Sequence, residues 1–360
     1  MKGLIKMKKK VEMVNELEIK VPGIIETHQQ RMDGLKKMES AVTKTLKSRK
    51  VGRRVLMAVD SGKHSTKFEK DGREVFFPTR VAKRSDLTQI DSKDAFVVTL
   101  DGETFVVADE NNTQPDLEMS KKTLEHKVCI YSAIAKSVEN GSVVDLVIGI
   151  PVLLYLDQET RLEYEEFMAQ PSTQEWTELT LDGELHYFKI NQVKALPETA
   201  GYVFGHYEDY YDDVVGIIDL GGLNINGCVY SELSPIHKSS FTINRGGHNL
   251  ISDIQQALMQ KLGRDIQDYQ MKGILKKPKA SEDPIIREVV DSYMNVILKE
   301  LRTRNWDISA DGIKIVLTGG TSQIIKNYAS AYFPQLIISE EPVWDNVKGF
   351  KVYAEAFLEG

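Results

Sequence analysis

Three apolar segments of the chain each run straight into glycine, and this feature limits the fold more than any other. They are VLMAVDSG at 55–62, IIDLGG at 217–222 and VLTGG at 316–320. Apolar runs of this length predict buried strands, and segments with helical periodicity lie between them. Strands that alternate with helices predict an α/β architecture whose functional sites lie at the carboxyl ends of the strands.

The composition excludes several classes of protein. A chain of 360 residues that is 41% hydrophobic can bury a sizeable core, and its length is typical of two domains. No apolar run approaches the roughly 20 residues that span a bilayer, and the start of the chain lacks the apolar region of a secretory signal. Cys129 and Cys228 lie far apart in apolar surroundings, which argues against a disulfide framework or a metal site. We therefore expect a cytoplasmic protein with no membrane contact.

Charge is distributed unevenly along the chain. Residues 1–54 carry a net charge of +9, against −16 for the remainder. Apolar residues recur at helical spacing in two parts of this segment, so we expect a basic helical N-terminal extension that ends in an exposed linker, SRKVGRR. Two interpretations stay open. The extension is either a solvated appendage, which a start codon assigned too far upstream would also produce, or a contact to DNA, an adaptor protein or a neighbouring subunit.

The three glycine loops suit a phosphate-bearing ligand if they converge. Glycine lets backbone N–H groups approach phosphate oxygens closely, and successive N–H groups bind anions. Asp60 and Asp219, each at the end of a strand, offer the hard oxygen atoms that Mg²⁺ prefers, often through water. Gly319 and Gly320 open a helix, a geometry that suits a phosphate or a nucleoside. Any one of these loops is more often a simple tight turn, so the prediction depends on all three.

In order and spacing the loops resemble the two phosphate hairpins and the adenosine loop of the actin, sugar kinase and heat-shock chaperone ATPase superfamily. The first hairpin of that superfamily reads Asp-x-Gly and often has a lysine nearby, as Asp60, Gly62 and Lys67 do here. The second reads Asp-Leu/Ile-Gly-Gly, as residues 219–222 do. The segment that links the domains in the superfamily resembles VIGIPVLLY at 147–155.

Within the superfamily, the chain most resembles the ParM-like bacterial actins that segregate plasmids. The strongest local match is LPETAGYVFGHYEDYYDDVVGIIDLGG at 196–222, where a Pro-Glu-Thr segment precedes the second hairpin. Proline suits the first turn of a helix and an acidic residue favours its N-terminal dipole, so we expect a helix to begin at Pro197 and Glu198. In ParM proteins the glutamate of this segment acts on the water that attacks the γ-phosphate, and that role maps onto Glu198. The resemblance covers roughly residues 55–360 and leaves 1–54 unexplained.

The resemblance implies an α/β protein with the actin-like fold. Two related domains each carry a mixed β-sheet flanked by helices, and the nucleotide lies in the cleft between them. Domain I is expected to comprise residues 55–212 together with the C-terminal helix 346–360, which returns to it, and domain II residues 213–345.

The resemblance also implies the nucleotide and the residues that hold it. ATP is the expected nucleotide, with GTP left open, and Mg²⁺ is expected to be held by Asp60 and Asp219 through water. The expected catalytic residues are Glu198, Asp219 and Asp60, which would act by positioning the phosphates and the water. For Lys67 a solvated strand lysine is an equal alternative, and for 245–247 a plain strand-to-helix turn is. The residues expected to bind the nucleotide are Ser61, Gly62, Lys63, His64, Ser65, Lys67, Gly221, Gly222, Leu223, Asn224, Arg245, Gly246, Gly247, Gly319, Gly320 and Thr321.

Leu223 departs from the superfamily pattern. Many members carry threonine after the second Gly-Gly and an acidic residue three positions later, where this chain has Leu223 and Asn226. The missing hydroxyl removes one contact to phosphate, whereas the backbone N–H donors remain. We therefore expect nucleotide binding to persist through the backbone, and the choice between ATP and GTP stays open.

The resulting hypothesis is an actin-like ATPase that polymerises into filaments on binding ATP and drives plasmid DNA segregation. Its expected partners are other copies of the chain and a DNA-binding adaptor protein on the plasmid centromere, with direct DNA contact by the N-terminal extension left open. Two alternatives stay open as well. One is a small-molecule kinase of the sugar kinase type on the same fold, and the other is a nucleotide-binding scaffold with little hydrolysis.

Overall fold

The computed structural model describes residues 51–90, 92–109, 121–169, 176–277, 280 and 282–358. The expected N-terminal extension, residues 1–54, lies outside the described residues except for its last four. Residues 51–360 form one unit by their mutual contacts. The first strand begins at Arg54, one residue before the expected start of domain I, and the Arg54 guanidinium pairs with the buried Asp145 of a neighbouring strand.

The described residues contain fifteen strands in two sheets. The strands of the first sheet are β1 (Arg54–Ser61), β2 (Ser65–Lys70), β3 (Arg73–Pro78), β4 (Val81–Lys83), β5 (Phe96–Leu100), β6 (Glu103–Val107), β7 (Val143–Ile150), β8 (Thr177–Leu181) and β9 (Glu184–Pro197). Those of the second sheet are β10 (Val214–Leu220), β11 (Ile225–Ser231), β12 (Ser234–Pro235), β13 (Phe241–Ile243), β14 (Lys314–Thr318) and β15 (Leu336–Ile338).

Ten α-helices lie among the described residues, with short 3₁₀ turns at Arg84–Asp86 and His237–Ser239. Within the described ranges, no helix combines the length and the apolar character needed to cross a membrane. The helices are α1 (Leu124–Ser137), α2 (Val152–Leu156), α3 (Gln158–Ala169), α4 (Ala200–Gly205), α5 (Tyr207–Tyr210), α6 (Gly247–Leu262), α7 (Asp268–Leu275), α8 (Pro284–Thr303), α9 (Ser322–Ala329) and α10 (Asp345–Leu358).

Both sheets are mixed, and both are built around the same motif. The first has the strand order β3-β2-β1-β7-β9-β8-β5-β6-β4, and the second has β12-β11-β10-β14-β15 with β13 paired to β11. In the first sheet, β1 forms an antiparallel hairpin with β2 and pairs in parallel with β7. In the second, β10 forms an antiparallel hairpin with β11 and pairs in parallel with β14. We call these the first hairpin (β1–β2) and the second hairpin (β10–β11).

Each sheet has its own apolar core. The first sheet packs against α1 and α3, and the second packs against α6, α8 and α9. The long helix α8 begins as its sequence predicts, because Asp283 caps the first turn and Pro284 occupies the first helical position. Burial of these faces is the main favourable term in folding. Fully buried side chains of the two cores include Phe68, Val98, Phe105, Ile130 and Phe188, and Leu250, Ile254, Val290, Ile297 and Ile325.

The C-terminal helix α10 packs on the first sheet. Phe350 and Ala354 are buried against Ala58 on β1 and Val147 on β7. Close to its start, α10 also crosses α4 so tightly that a Cβ on Gly349 would lie 1.8 Å from the carbonyl oxygen of Gly201. The backbones of the two helices are therefore in contact.

One expected element boundary is wrong in a way that affects the site. The Pro-Glu segment was expected to open a helix, with Pro197 in its first turn. Instead β9 runs on to Pro197, pairs in parallel with β7, and the N–H of Glu198 donates to Ile150 O at 3.0 Å. Pairing with a buried parallel neighbour outweighs the local helix-start preference, and α4 begins only at Ala200. Glu198 therefore lies at the carboxyl end of a strand.

Candidate functional site

A cavity of about 730 Å³ lies where the turns of both hairpins meet the loop between β14 and α9. We call that loop, residues 318–321, the third loop. The resemblance to the actin superfamily implies that these three segments converge, and the cavity brings them together. The predicted site residues that line it are Asp60, Gly62, Lys63, His64, Ser65, Lys67, Glu198, Asp219, Gly221, Gly222, Leu223, Asn224, Gly247, Gly319, Gly320 and Thr321.

Three residues expected in the site are absent from the cavity lining. Ser61 is buried, and its hydroxyl shares a hydrogen bond with Thr66 Oγ1 at 2.9 Å. Arg245 pairs with Asp253 at 2.6 Å. Gly246 supports the second hairpin from behind, because its N–H donates to Leu223 O at 2.8 Å. These residues shape the loops from outside the cavity.

In the first hairpin an aspartate is already paired with a lysine. The turn closes through the Gly62 N–H, which donates to Ser65 O at 3.0 Å. Asp60 and Lys67 are cross-strand neighbours, and Lys67 Nζ lies 2.5 Å from Asp60 Oδ2. Burial opposes the charge of Lys67, but the carboxylates of Asp60, Asp219 and Glu198 outweigh it and raise the pKa of Lys67 above its ordinary value. Lys67 is therefore a partly buried partner of Asp60 rather than a solvated strand lysine.

The second hairpin presents unused backbone donors. Its turn closes through the Gly221 N–H, which donates to Asn224 O at 2.9 Å. The N–H groups of Gly247 and His248, at the start of α6, donate to Gly221 O and Gly222 O, both at 2.9 Å. These bonds hold the turn from behind. Among the described residues, the N–H groups of 222–224 have no protein partner, so they are available to an anion.

Asp219 is buried beside this turn, and no lysine or arginine of the described residues forms an ion pair with it. Its nearest hydrogen-bond donor is Asn346 Nδ2 on α10, at 3.4 Å from Oδ2. Burial, together with the nearby carboxylates of Glu198 and Asp60, raises the pKa of Asp219 to about 8. A carboxyl group in this state is stabilised in its charged form by an added cation.

The third loop is attached to the second hairpin. The N–H of Thr321 donates to Leu220 O at 3.0 Å, and its hydroxyl donates to Gly221 O at 2.9 Å. Gly319 has a φ of +80°, and a Cβ there would lie 2.2 Å from Asp219 Oδ1. Only glycine fits between the third loop and Asp219.

Glu198 is held from two sides by residues that the sequence did not single out for this role. Lys121 Nζ lies 2.5 Å from Glu198 Oε1, and Asn226 Nδ2 donates to Glu198 Oε2 at 2.8 Å. Lys121 is 2% exposed, and its ammonium also donates to Ser61 O at 2.8 Å and to Gly149 O at 3.2 Å. The carboxyl ends of β1, β7 and β9 therefore meet at Lys121.

The other end of the cavity is lined by helices. α6, α7 and α9 contribute both apolar and polar side chains to this end of the cavity. Apolar side chains could pack against the flat ring of a bound molecule, and polar groups could contact its edge. Gln255 is fixed in orientation, because its amide nitrogen donates to Ile266 O at 2.7 Å and to Asp268 Oδ1 at 3.0 Å. No separate signal marks these residues in the sequence, since their spacing is that of ordinary amphipathic helices. They are Ile251, Ser252, Gln255, Asp268, Met271, Lys272, Leu275 and Ile324, with Pro342 and Val343 beside them.

Two histidines connect the hairpins at the edge of the cavity. His248 Nε2 and His64 Nδ1 are 3.2 Å apart, within hydrogen-bond distance. His64 lies in the turn of the first hairpin, and His248 lies in the first turn of α6, against the second hairpin. Burial and the nearby Arg80 lower the pKa of His248.

The carboxylates fit a divalent cation that keeps most of its water. The described residues hold no cluster of three or more His, Cys, Asp or Glu side chains that could enclose a metal. Asp219 supplies a buried carboxyl group that has no ion-pair partner among the described residues, and Asp60 lies in the same cavity. Mg²⁺ typically binds through one or two carboxylates, its waters and the phosphates of a substrate, so this donor set fits Mg²⁺.

Comparisons with known proteins agree with this geometry. The sequence model of the family described as actin-like proteins N-terminal domain matches residues 58–201. No curated protein sequence matches the chain.

Several solved structures share the fold. An apo psk41 ParM protein superposes with a TM-score of 0.66 at 16% identity, over 85% of this chain and 98% of that chain. The archaeal actin homologue Ta0583 in complex with ADP gives 0.66 at 18% identity, over 84% and 99%. A 15-stranded ParM filament from Clostridium botulinum gives 0.63 at 15% identity, over 85% and 100%. The chain therefore has the actin-like fold, its residues 58–201 match the N-terminal domain of actin-like proteins, and its resemblance to the ParM-like bacterial actins is confirmed.

Proposed function

We propose that this protein is an ATPase of the actin-like type that binds a Mg²⁺-nucleotide in the described cavity. The observation that carries the proposal is the convergence of both hairpins, the third loop and Glu198 on one cavity. A cavity with no ligand-binding role would not be expected to bring three separate glycine loops together with three carboxylates.

Each part of the cavity has a role in this proposal. The N–H groups of 222–224 and the turn of the first hairpin bind the phosphates. The helical end, built by α6, α7 and α9, takes the nucleoside. Asp219 and Asp60 would hold Mg²⁺ through water, and the bound metal would supply positive charge beside the phosphates. Glu198 accepts a hydrogen bond from the attacking water and orients it toward the γ-phosphate.

The proposal extends to assembly. The fold is that of structures that include a 15-stranded ParM filament, and we propose that this chain also polymerises when it binds ATP. We divide the chain into domain I, residues 55–212 with helix 346–360, and domain II, residues 213–345, so that each domain carries one hairpin. Filaments of this kind would move plasmid DNA through a DNA-binding adaptor protein, and the basic residues 1–54 offer a contact to such a partner.

Pelleting and electron microscopy of the full chain test this function. Samples contain Mg²⁺ with ATP, ADP, GTP or no nucleotide, and phosphate release is measured in parallel. We expect polymer and phosphate release with ATP. Glu198→Gln should bind ATP and polymerise while releasing phosphate at least about 100-fold more slowly. Phosphorylation of a small hydroxyl compound without polymer would favour a kinase instead, and the absence of both nucleotide binding and polymer would reject the proposal.

A further inference from the structure

Lys121 is buried at a junction of main-chain and side-chain oxygens. Its contacts to Glu198 Oε1, Ser61 O and Gly149 O span 2.5 to 3.2 Å. A lysine ammonium has three N–H donors, so these three oxygens use all of them. Lysine is almost never buried unless it is paired, and this pairing is with the carboxylate that the proposed mechanism uses to orient water.

The carboxylate of Glu198 is fixed by this contact and one other. Asn226 Nδ2 donates to Oε2 while Asn226 Oδ1 accepts from Thr242 Oγ1 at 2.8 Å. The asparagine amide is thus oriented by its own partner. Glu198 cannot rotate without losing the contact to Lys121 or the contact to Asn226.

The two contacts connect Glu198 to different sheets. Asn226 belongs to β11 in the second sheet, whereas Lys121 is held by the last residue of β1 and by Gly149 near the end of β7 in the first. The position of the Glu198 carboxylate therefore depends on where the Lys121 ammonium lies relative to the first hairpin. A shift of that hairpin would carry Ser61 O, and with it Lys121, away from its present contact with Glu198.

We propose that Lys121 is a positioning residue for hydrolysis, which fixes the Glu198 carboxylate relative to the first hairpin so that the water is held in line with the γ-phosphate. This inference rests on the proposed function, since it assigns a role within ATP hydrolysis. Lys121 acts through Glu198 and does not bind the nucleotide, because its three donors are already committed to protein oxygens.

Substitution of Lys121 in the full chain tests the role through kcat and KM. Lys121→Met should lower kcat for ATP hydrolysis at least about tenfold and change KM by less than about threefold, because it removes an interaction that matters in the transition state. The matched control is Lys122→Met, which removes the adjacent lysine, an exposed residue paired with Glu163 at 2.7 Å. The control should behave as wild type. A Lys121→Met protein with wild-type kcat, or with a large rise in KM and unchanged kcat, would overturn the proposal.

A double substitution separates action through Glu198 from action elsewhere. If Lys121 works only by placing Glu198, then adding Lys121→Met to Glu198→Gln causes no further loss of kcat, since coupled residues are non-additive. A further loss of about tenfold or more, equal to that in the wild-type background, would show an independent role and contradict the inference.

Two further outcomes are distinguishable. If the wild-type chain does not hydrolyse ATP, the proposed function and this inference both fail. If it hydrolyses ATP and Lys121→Met does so equally well, the inference alone fails. If Lys121→Met does not fold, as judged by circular dichroism, Lys121→Gln replaces it, because glutamine can still donate to the carbonyl oxygens of Ser61 and Gly149. The changes in kcat and KM stated for Lys121→Met then serve as the criteria for Lys121→Gln.

Discussion

The first and second hairpins share a backbone plan but differ in how their aspartates are neutralised. Asp60 lies opposite Lys67 in the β1–β2 register, and the two side chains form an ion pair at 2.5 Å. Asp219 lies opposite Asn226 in the β10–β11 register, but Asn226 is bonded to Glu198 instead. Among the described residues, no lysine or arginine forms an ion pair with Asp219.

The contrast between the two aspartates indicates where an added cation is needed. In the first hairpin, Lys67 neutralises the charge of Asp60. In the second, the buried carboxyl group of Asp219 has no such partner, and its pKa is raised to about 8. The sequence treats the two aspartates alike, as equal holders of Mg²⁺. The structure assigns them unequal environments, and we infer that Asp219 contributes more than Asp60 to the affinity for the metal.

The largest expected effect comes from Asp219→Asn. The substitution removes the buried negative charge that we expect to hold the cation, so the affinity for Mg²⁺-ATP should fall by more than about 100-fold. The same change removes an unpaired buried charge, so the nucleotide-free protein should become more stable at pH 8. Calorimetric titration measures the first effect and urea unfolding the second. A protein that loses both affinity and stability would contradict the contrast between the hairpins.

Lys67→Met would make the first hairpin resemble the second. It leaves Asp60 buried without its partner, so the free energy of unfolding should fall by about 2 kcal/mol, somewhat less than for a fully buried pair because Lys67 keeps some exposure. Lys70→Met, at an exposed position of the same strand, is the matched control and should change stability little. Equal urea midpoints for the two variants would show that the Asp60–Lys67 pair contributes nothing.

The raised pKa of Asp219 makes cation binding depend on pH. Protons and Mg²⁺ compete for the same carboxylate, so with a pKa of about 8 the affinity for Mg²⁺-ATP should rise about tenfold between about pH 7 and about pH 9. In the absence of metal, the native state binds more protons than the unfolded state between the ordinary pKa of an aspartate and about 8. The free energy of unfolding should therefore decrease as pH rises through this window.

Asp219→Asn is the control for both trends. The variant lacks the titrating group, so the rise in affinity and the decrease in stability attributed to Asp219 should both disappear. Calorimetric titrations and urea unfolding curves at matched pH values measure them. Persistence of either trend in the variant would assign it to another residue.

Leu223→Thr should have the smallest effect. Residues 222–224 line the cavity, and their backbone N–H groups have no protein partner among the described residues, so an added hydroxyl should raise ATP affinity by no more than about threefold. Leu223→Val, which has nearly the same shape as threonine without the hydroxyl, is the control. A gain of about tenfold or more for threonine over valine would mean that the backbone donors alone are a poor phosphate site.

Much of the fold was accessible from the sequence, because apolar runs bounded by glycine specify buried strands and their turns. The same pattern indicates the three loops, and the resemblance to the actin superfamily implies their mutual arrangement. The helix expected at Pro197 was wrong, because tertiary pairing of β9 with β7 overrides a local preference that the sequence displays clearly. Glu198 was nevertheless identified, since its neighbours in sequence mark it independently of its secondary structure.

Other parts of the site could not be read from the sequence. Lys121 and Lys122 are adjacent and both precede the Thr123 cap of α1, so only three-dimensional packing distinguishes a buried lysine from an exposed one. Ile251 and Met271 have the spacing of core residues in amphipathic helices, and the sequence does not indicate that they line a cavity. The unequal neutralisation of Asp60 and Asp219 likewise depends on where Asn226 makes its bonds.

The most direct test of the account is the Mg²⁺ dependence of ATP binding to the full chain, measured by calorimetric titration at a pH above the pKa of Asp219. We expect tight binding of ATP with Mg²⁺ and a loss of at least about tenfold in affinity when the metal is chelated, because the charge of Asp219 then faces the phosphates unneutralised. Equal affinity with and without Mg²⁺, or no binding under either condition, would contradict it.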